Sequence, residues 1–136
     1  MFDMYLVTGA TGFLGRTIVE ELVRRGSSVR ALVLHGDPCT KLLPPEAATV
    51  EGDVSERDSL AAFFAGAGEN TCVLHCAGII SVASRPGQRI YQVNVEGTRN
   101  IVALCREHGV GRLVHVSSVH AIPEQPKGTV ITEQCT

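Results

Sequence analysis

Tryptophan is absent from this 136-residue chain, and aromatic side chains make up only 4% of it. Its core must therefore be built from small aliphatic side chains, which a 44% apolar composition can supply within one domain. Charge of one sign is also lacking. Twelve basic and 14 acidic side chains leave a net charge of −2, so no nucleic-acid-binding surface is expected. No apolar run approaches the roughly 20 residues of a membrane-spanning helix, and no basic start precedes an apolar stretch as in a secretory leader. The five cysteines, Cys39, Cys72, Cys76, Cys105 and Cys135, contain no Cys-x-x-Cys pair. Cys72 and Cys76 would share one face of a strand but stand about 13 Å apart, too far for one metal ion or a disulfide. All five are expected as small buried hydrophobes in a reducing cytoplasm. The five histidines show no metal-ligand spacing.

What the chain does have is alternation. Apolar runs at 4–7, 28–34, 48–51, 71–75 and 112–116 read as strands. Between them, 13–25 is helical, with Leu14, Ile18 and Leu22 beside Val19 and Val23, and Gly26 stops it. Ser55 is an N-cap, with Asp58 three residues on, for a helix through Phe64. Residues 85–108 contain a long helix whose inward line is Ile90, Asn94, Gly97, Ile101 and Cys105, ended by Gly109. Strands alternating with helices predict a parallel, doubly wound sheet (a Rossmann fold) of order 3-2-1-4-5. After Ser118, Pro123, Pro126 and Gly128 mark a loop. One dinucleotide-binding domain over 1–136 is expected, incomplete on its C-terminal side.

The first strand runs into Thr8-Gly9-Ala10-Thr11-Gly12-Phe13-Leu14-Gly15, and the first helix follows. Each glycine has a task if the turn holds a pyrophosphate: Gly9 turns off the strand, Gly12 lets backbone approach the phosphates, and Gly15 lets helix pack on strand. The helix N-terminus adds unpaired N–H groups and partial positive charge. The spacing, G-x-x-G-x-x-G, is one residue wider than the dinucleotide-binding pattern, and an ordinary strand-to-helix turn is the plainer alternative. Small or polar residues also end three other strands: Asp53-Val54, Cys76-Ala77-Gly78 and Ser117-Ser118. Doubly wound sheets bind ligands at such strand ends, near the switch point between strands one and four.

In these segments the chain resembles the extended short-chain dehydrogenase/reductase family, the NAD(P)-dependent epimerases, dehydratases and reductases. The resemblance rests on Thr8 to Gly15, Gly52-Asp53-Val54, His75-Cys76-Ala77-Gly78, Asn94-Val95-Glu96-Gly97-Thr98-Arg99-Asn100 and Arg112-Leu113-Val114-His115-Val116-Ser117-Ser118, in the family's order. Val29-Arg30-Ala31-Leu32-Val33 looks most like its dihydroflavonol-reductase and steroid-dehydrogenase-like branch. The resemblance implies that Gly9, Thr11, Gly12, Phe13, Leu14 and Gly15 hold the pyrophosphate of NAD or NADP. It implies that Asp53 accepts from the adenine amino group with Val54 against the ring, where a helix-capping aspartate is the alternative. Cys76, Ala77 and Gly78 would lie along the ribose side. Asn94 would bond backbone near strand four, a structural role as much as a catalytic one. Ser118, or else Ser117, would orient the substrate oxygen, unless it is only a polar strand end. A homodimer through the 85–108 helix is also implied.

At the end of strand two neither the acidic residue suited to NAD nor the arginine suited to NADP is found. His35 stands there instead, able to bond a hydroxyl or, protonated, a phosphate, or simply to sit in a solvated loop. Both cofactors are therefore expected to be tolerated. Ile79, Ile80 and Val82 could line an apolar pocket or pack a loop.

The family's chemistry also needs a tyrosine with a lysine four residues later. The two tyrosines, Tyr5 and Tyr91, are followed at that distance by Gly9 and Val95, and the two lysines are Lys41 and Lys127. The pair is expected after Thr136, on a continuation of a longer enzyme. These 136 residues should bind cofactor weakly and turn over nothing, with a small-molecule substrate only if the chain continues. Two rivals are a non-catalytic dinucleotide sensor or scaffold, and a nonfunctional fragment.

Overall fold

The computed structural model describes residues 2–81, 87–118, 121–123 and 125–135. Five parallel strands form one sheet: β1 (Met4–Thr8), β2 (Ser28–Val33), β3 (Ala48–Glu51), β4 (Thr71–His75) and β5 (Arg112–His115). Their order is β3-β2-β1-β4-β5, as the alternating pattern predicts. In register, Thr8 lies opposite His75, and His75 opposite His115.

Both faces of the central strands are apolar because each is covered. Leu6, Leu32 and Val73 point into one core with Leu60, Phe63, Phe64, Ile101 and Leu104. Val7, Ala31 and Val33 point into the other, where Val19 of α1 (Phe13–Arg24) packs. Phe63 and Phe64 meet edge to face at 5.4 Å and are the largest fully buried side chains, so the first core is aliphatic around one aromatic pair and not aliphatic throughout.

Two segments differ from expectation. Ser55 caps no helix. Asp53 accepts from the Ser55 amide at 2.9 Å, forming a tight turn, and a 3-10 turn at Arg57–Leu60 leads into the short α2 (Ala61–Phe64). The long helix comprises α3 (Gln88–Tyr91), a π-helical stretch at Gln92–Gly97 and α4 (Thr98–Glu107). Its expected start at Arg85 lies outside the described residues. A π turn holds one residue more than an α turn, which shifts the inward face. The buried set is Val93, Gly97, Ile101, Leu104 and Cys105, while Asn94 turns outward. Of the cysteines, Cys72 and Cys105 are buried; Cys39, Cys76 and Cys135 are only half-buried.

Candidate functional site

Four strand ends meet the long helix around one cleft of about 360 Å³. Gly9, Thr11 and Gly12 after β1 form its floor with Cys76, Ala77, Gly78 and Ile79 after β4. Leu32 and Leu34 of the β2 end, Gly52, Asp53 and Val54 after β3, and Arg89 and Val93 of the helix close the other side.

The glycine turn is built by close approach. Gly9 has φ +64°, and a Cβ there would lie 2.7 Å from the Ala77 amide nitrogen. A Cβ on Gly15 would lie 2.0 Å from the Gly9 carbonyl oxygen, so α1 can seat against β1 only with glycine there. Gly12 is the N-cap of α1, with extended backbone and no side chain to cover the helix end. Phe13 and Leu14 follow on the exposed first turn, 89% and 44% accessible, outside the cleft lining. Small residues thus leave backbone, not side chains, facing the space at the α1 N-terminus, which suits an anion.

Asp53 enters the cleft from the β3 end. One carboxylate oxygen accepts from the Ser55 amide and hydroxyl, at 2.9 and 2.7 Å, and the other from the Arg89 guanidinium. Burial pushes its carboxyl up, but the bonds from Ser55 and Arg89 outweigh burial and hold it below the usual carboxylate range. A carboxylate has about four acceptor sites, so one remains on the oxygen that faces Arg89. Asp53 is therefore both the turn-former and a cleft wall. Val54 beside it is buried against Gly97, where a Cβ would come within 2.7 Å of a Val54 methyl. That contact seats the π stretch and aims Asn94 at Ile79, whose amide and carbonyl it binds at 2.8 and 2.9 Å.

Other residues lie apart from the cleft lining. His35 is exposed, its Nδ1 2.7 Å from Glu51 Oε2, and that carboxylate raises its pKa. Ser117 and Ser118 line a separate depression with Ile122, Ile131 and Thr132. Ile79 lines the cleft and Ile80 is 94% exposed, while Val82 lies outside the described residues.

Sequence reasoning missed three participants. Arg89 carries no motif, and its pairing with Asp53 spans 36 residues. Asp37 lies beyond the His35 loop, where the Thr11 hydroxyl and the Cys39 amide hold its carboxyl below the ordinary range. Its distance of 22 residues after Gly15 was the available signal. His75, at the end of β4, is wholly buried behind the cleft floor and bonded to Thr8 and Thr98.

Residues 6–134 match the 3-beta hydroxysteroid dehydrogenase/isomerase family. Human 3 beta-hydroxysteroid dehydrogenase type 7 is 36% identical over 132 residues, covering 92% of this chain and 35% of that protein. The putative dihydroflavonol 4-reductase of Synechocystis is 35% identical over 122 residues, 90% of this chain and 34% of that one. Among solved structures, a short-chain dehydrogenase/reductase superfamily protein from Agrobacterium tumefaciens with bound NAD superposes with a TM-score of 0.80, 31% identity, and coverage of 98% of this chain and 38% of that one. UDP-glucose 4-epimerase of Thermus thermophilus, in complex with NAD, gives 0.80 at 28% identity, with coverage of 96% and 42%. The chain spans about a third of the length of the curated relatives it matches.

Proposed function

The chain belongs to the 3-beta hydroxysteroid dehydrogenase/isomerase family, within the extended short-chain dehydrogenases/reductases. From that premise we propose that it is the dinucleotide-binding part of an NAD(P)-dependent oxidoreductase or epimerase acting at a carbon that bears a hydroxyl or carbonyl. One observation carries this reading: a cleft at the switch point between β1 and β4, its floor of Gly9, Gly12, Ala77 and Gly78 poor in side chains and its wall carrying Asp53. The group fits the residues present. Gly9, Thr11 and Gly12 would hold the pyrophosphate, with Phe13 and Leu14 contributing backbone amides from the α1 N-terminus and Gly15 seating the helix that presents them. Asp53 would accept from the adenine amino group with its remaining acceptor site, and Val54 would support the ring. Cys76, Ala77 and Gly78 would lie along the cofactor's ribose side.

Bound nicotinamide would supply the hydride chemistry, and Ser118, from the depression it lines with Ile122 and Ile131, would orient the substrate oxygen. Without a Tyr-x-x-x-Lys pair among these 136 residues, the stretch binds cofactor but does not itself move the substrate's proton. The helix that carries exposed Tyr91 and Val102 is the surface proposed for a second copy.

Two acidic groups stand near the end of β2: Asp37, bonded to Thr11 of the glycine turn, and Glu51, paired with His35. They repel a 2′-phosphate, which sharpens the tolerance of both cofactors into a preference for NAD. Parallel titrations should show NAD binding at least about 10-fold tighter than NADP, the scale of one unfavourable charge contact. Binding of neither cofactor would overturn the reading, and equal affinities would overturn the preference.

A further inference from the structure

His75 sits where the sheet is otherwise aliphatic. With Thr8 and Thr71 it makes up the buried polar side chains among the described residues. A buried polar group is tolerated only when its hydrogen bonds are made, and an aliphatic side chain would need none.

The bonds around it form a chain with one direction. The Thr98 hydroxyl donates its single hydrogen to the Asn94 carbonyl at 2.8 Å. It can therefore only accept at its 3.0 Å contact with His75 Nε2, so Nε2 carries the hydrogen. In the neutral ring Nδ1 is then bare, and it accepts from the Thr8 hydroxyl at 2.7 Å. Thr8 Oγ1 in turn accepts the Ala77 amide at 3.1 Å. From the other end, the Asn94 side chain holds both backbone groups of Ile79. Residues 76–79, the cleft floor, are thus tied at one end through Thr8 to the glycine-turn strand and at the other through Asn94 to the π stretch. His75 joins the two ties. The ring of His115, stacked at 5.3 Å from β5, is the titratable group facing it.

We propose that His75 is a positioning residue for the cofactor cleft: as the neutral Nε2–H tautomer, it locks the 76–79 floor in register with the glycine turn and the long helix. NAD affinity then depends on the relay and not only on the fold. This rests on the cofactor-binding reading above.

The test uses the full 136-residue chain and NAD as the probe. Thr98→Val keeps the shape of the side chain but removes the acceptor for Nε2–H, and Thr98→Ser restores it. Thr98→Val should weaken NAD binding about 3- to 10-fold, the scale of one lost hydrogen bond, at a temperature where melting shows both proteins folded. Thr98→Ser should return it to within about twofold of the parent, inside the spread of a retained bond. Nitrogen-15 NMR of the parent at neutral pH should show His75 protonated at Nε2 and bare at Nδ1. If Thr98→Val melts lower yet binds NAD like the parent, the role is structural and the proposal is overturned. An Nδ1–H or doubly protonated ring overturns it without reference to any variant. If the parent binds no NAD while NMR finds the Nε2–H tautomer, it is the cofactor reading that fails, and the positioning role falls with it.

Discussion

At the scale of single residues, His75 ties acidity to stability. Burial, aided by the nearby His115, lowers its pKa from 6.5 to about 4. Between those values the unfolded chain binds more protons than the folded one. This contribution is therefore complete above pH 6.5 and is lost as pH falls toward 4. Going from pH 8 to pH 5 should cost about 2 kcal/mol from this group. His35 acts in the opposite sense: its pKa is raised by Glu51, so what it adds is present in acid and lost as pH rises, and its full exposure keeps that contribution small. Urea midpoints at pH 8 and pH 5 should fall for the parent and for His35→Gln alike, and should fall much less for His75→Gln. Equal slopes in the parent and His75→Gln would show that the buried ring is not the origin. None of this was legible in the motif His75-Cys76-Ala77-Gly78, which marks a strand end beside the cleft. The tautomer is dictated by Thr8 and Thr98, and Thr8 lies 67 residues away. The same limit hid Arg89 beside Asp53. Both the capping and the cleft reading of Asp53 could be drawn from its neighbours. That the carboxylate serves the turn and still faces the cleft is a fact of three-dimensional packing.

At the scale of elements, β1, β2 and β4 were legible because burial on both faces leaves nearly continuous apolar runs. Strand bounds shifted by one residue at β1, β2 and β5. The long helix was legible as a helix but not in its facing. A spacing of three to four residues assumes a uniform turn, and the π stretch at Gln92–Gly97 breaks that uniformity. It buries Val93 and frees Asn94 for Ile79. The stretch is seated by Gly97 on Val54, so this glycine should not tolerate a methyl group. Gly97→Ala places a Cβ 2.7 Å from a Val54 methyl. It should destabilise the chain by about 1–3 kcal/mol, as overpacking does. The reciprocal change Val54→Ala makes room for it. The double variant should be more stable than the two single losses added together would give, by at least about 0.5 kcal/mol. Additive losses in urea melts would place the cost of Gly97→Ala elsewhere than at Val54.

At the scale of the whole molecule, the sheet is unevenly covered. The strands around β1 carry the buried side chains, whereas β5 is an edge strand with Val114 42% exposed and Val116, just beyond it, 41% exposed. Val130 and Ile131 add further exposed apolar surface at 78% and 50%. An edge strand with apolar side chains in water offers unpaired backbone to another chain, and edges that stay soluble usually carry a charge. Concentrating the 136-residue chain should therefore drive self-association through β5. Val114→Lys places a charge on that edge, away from the cleft at the ends of β1 and β4. It should lower light scattering at high concentration and leave NAD affinity within about twofold of the parent, as expected for sites without shared partners. NAD itself, seated in the cleft as proposed, should raise the melting temperature through linkage, by about 2.7 kcal/mol of stability at a hundredfold excess over its Kd. It should leave the scattering of the folded parent unchanged, since it covers none of the β5 edge. If NAD suppresses the association as strongly as Val114→Lys does, then the associating species is a partly opened chain and not the folded one, because ligand binding withdraws only states that lack the cleft.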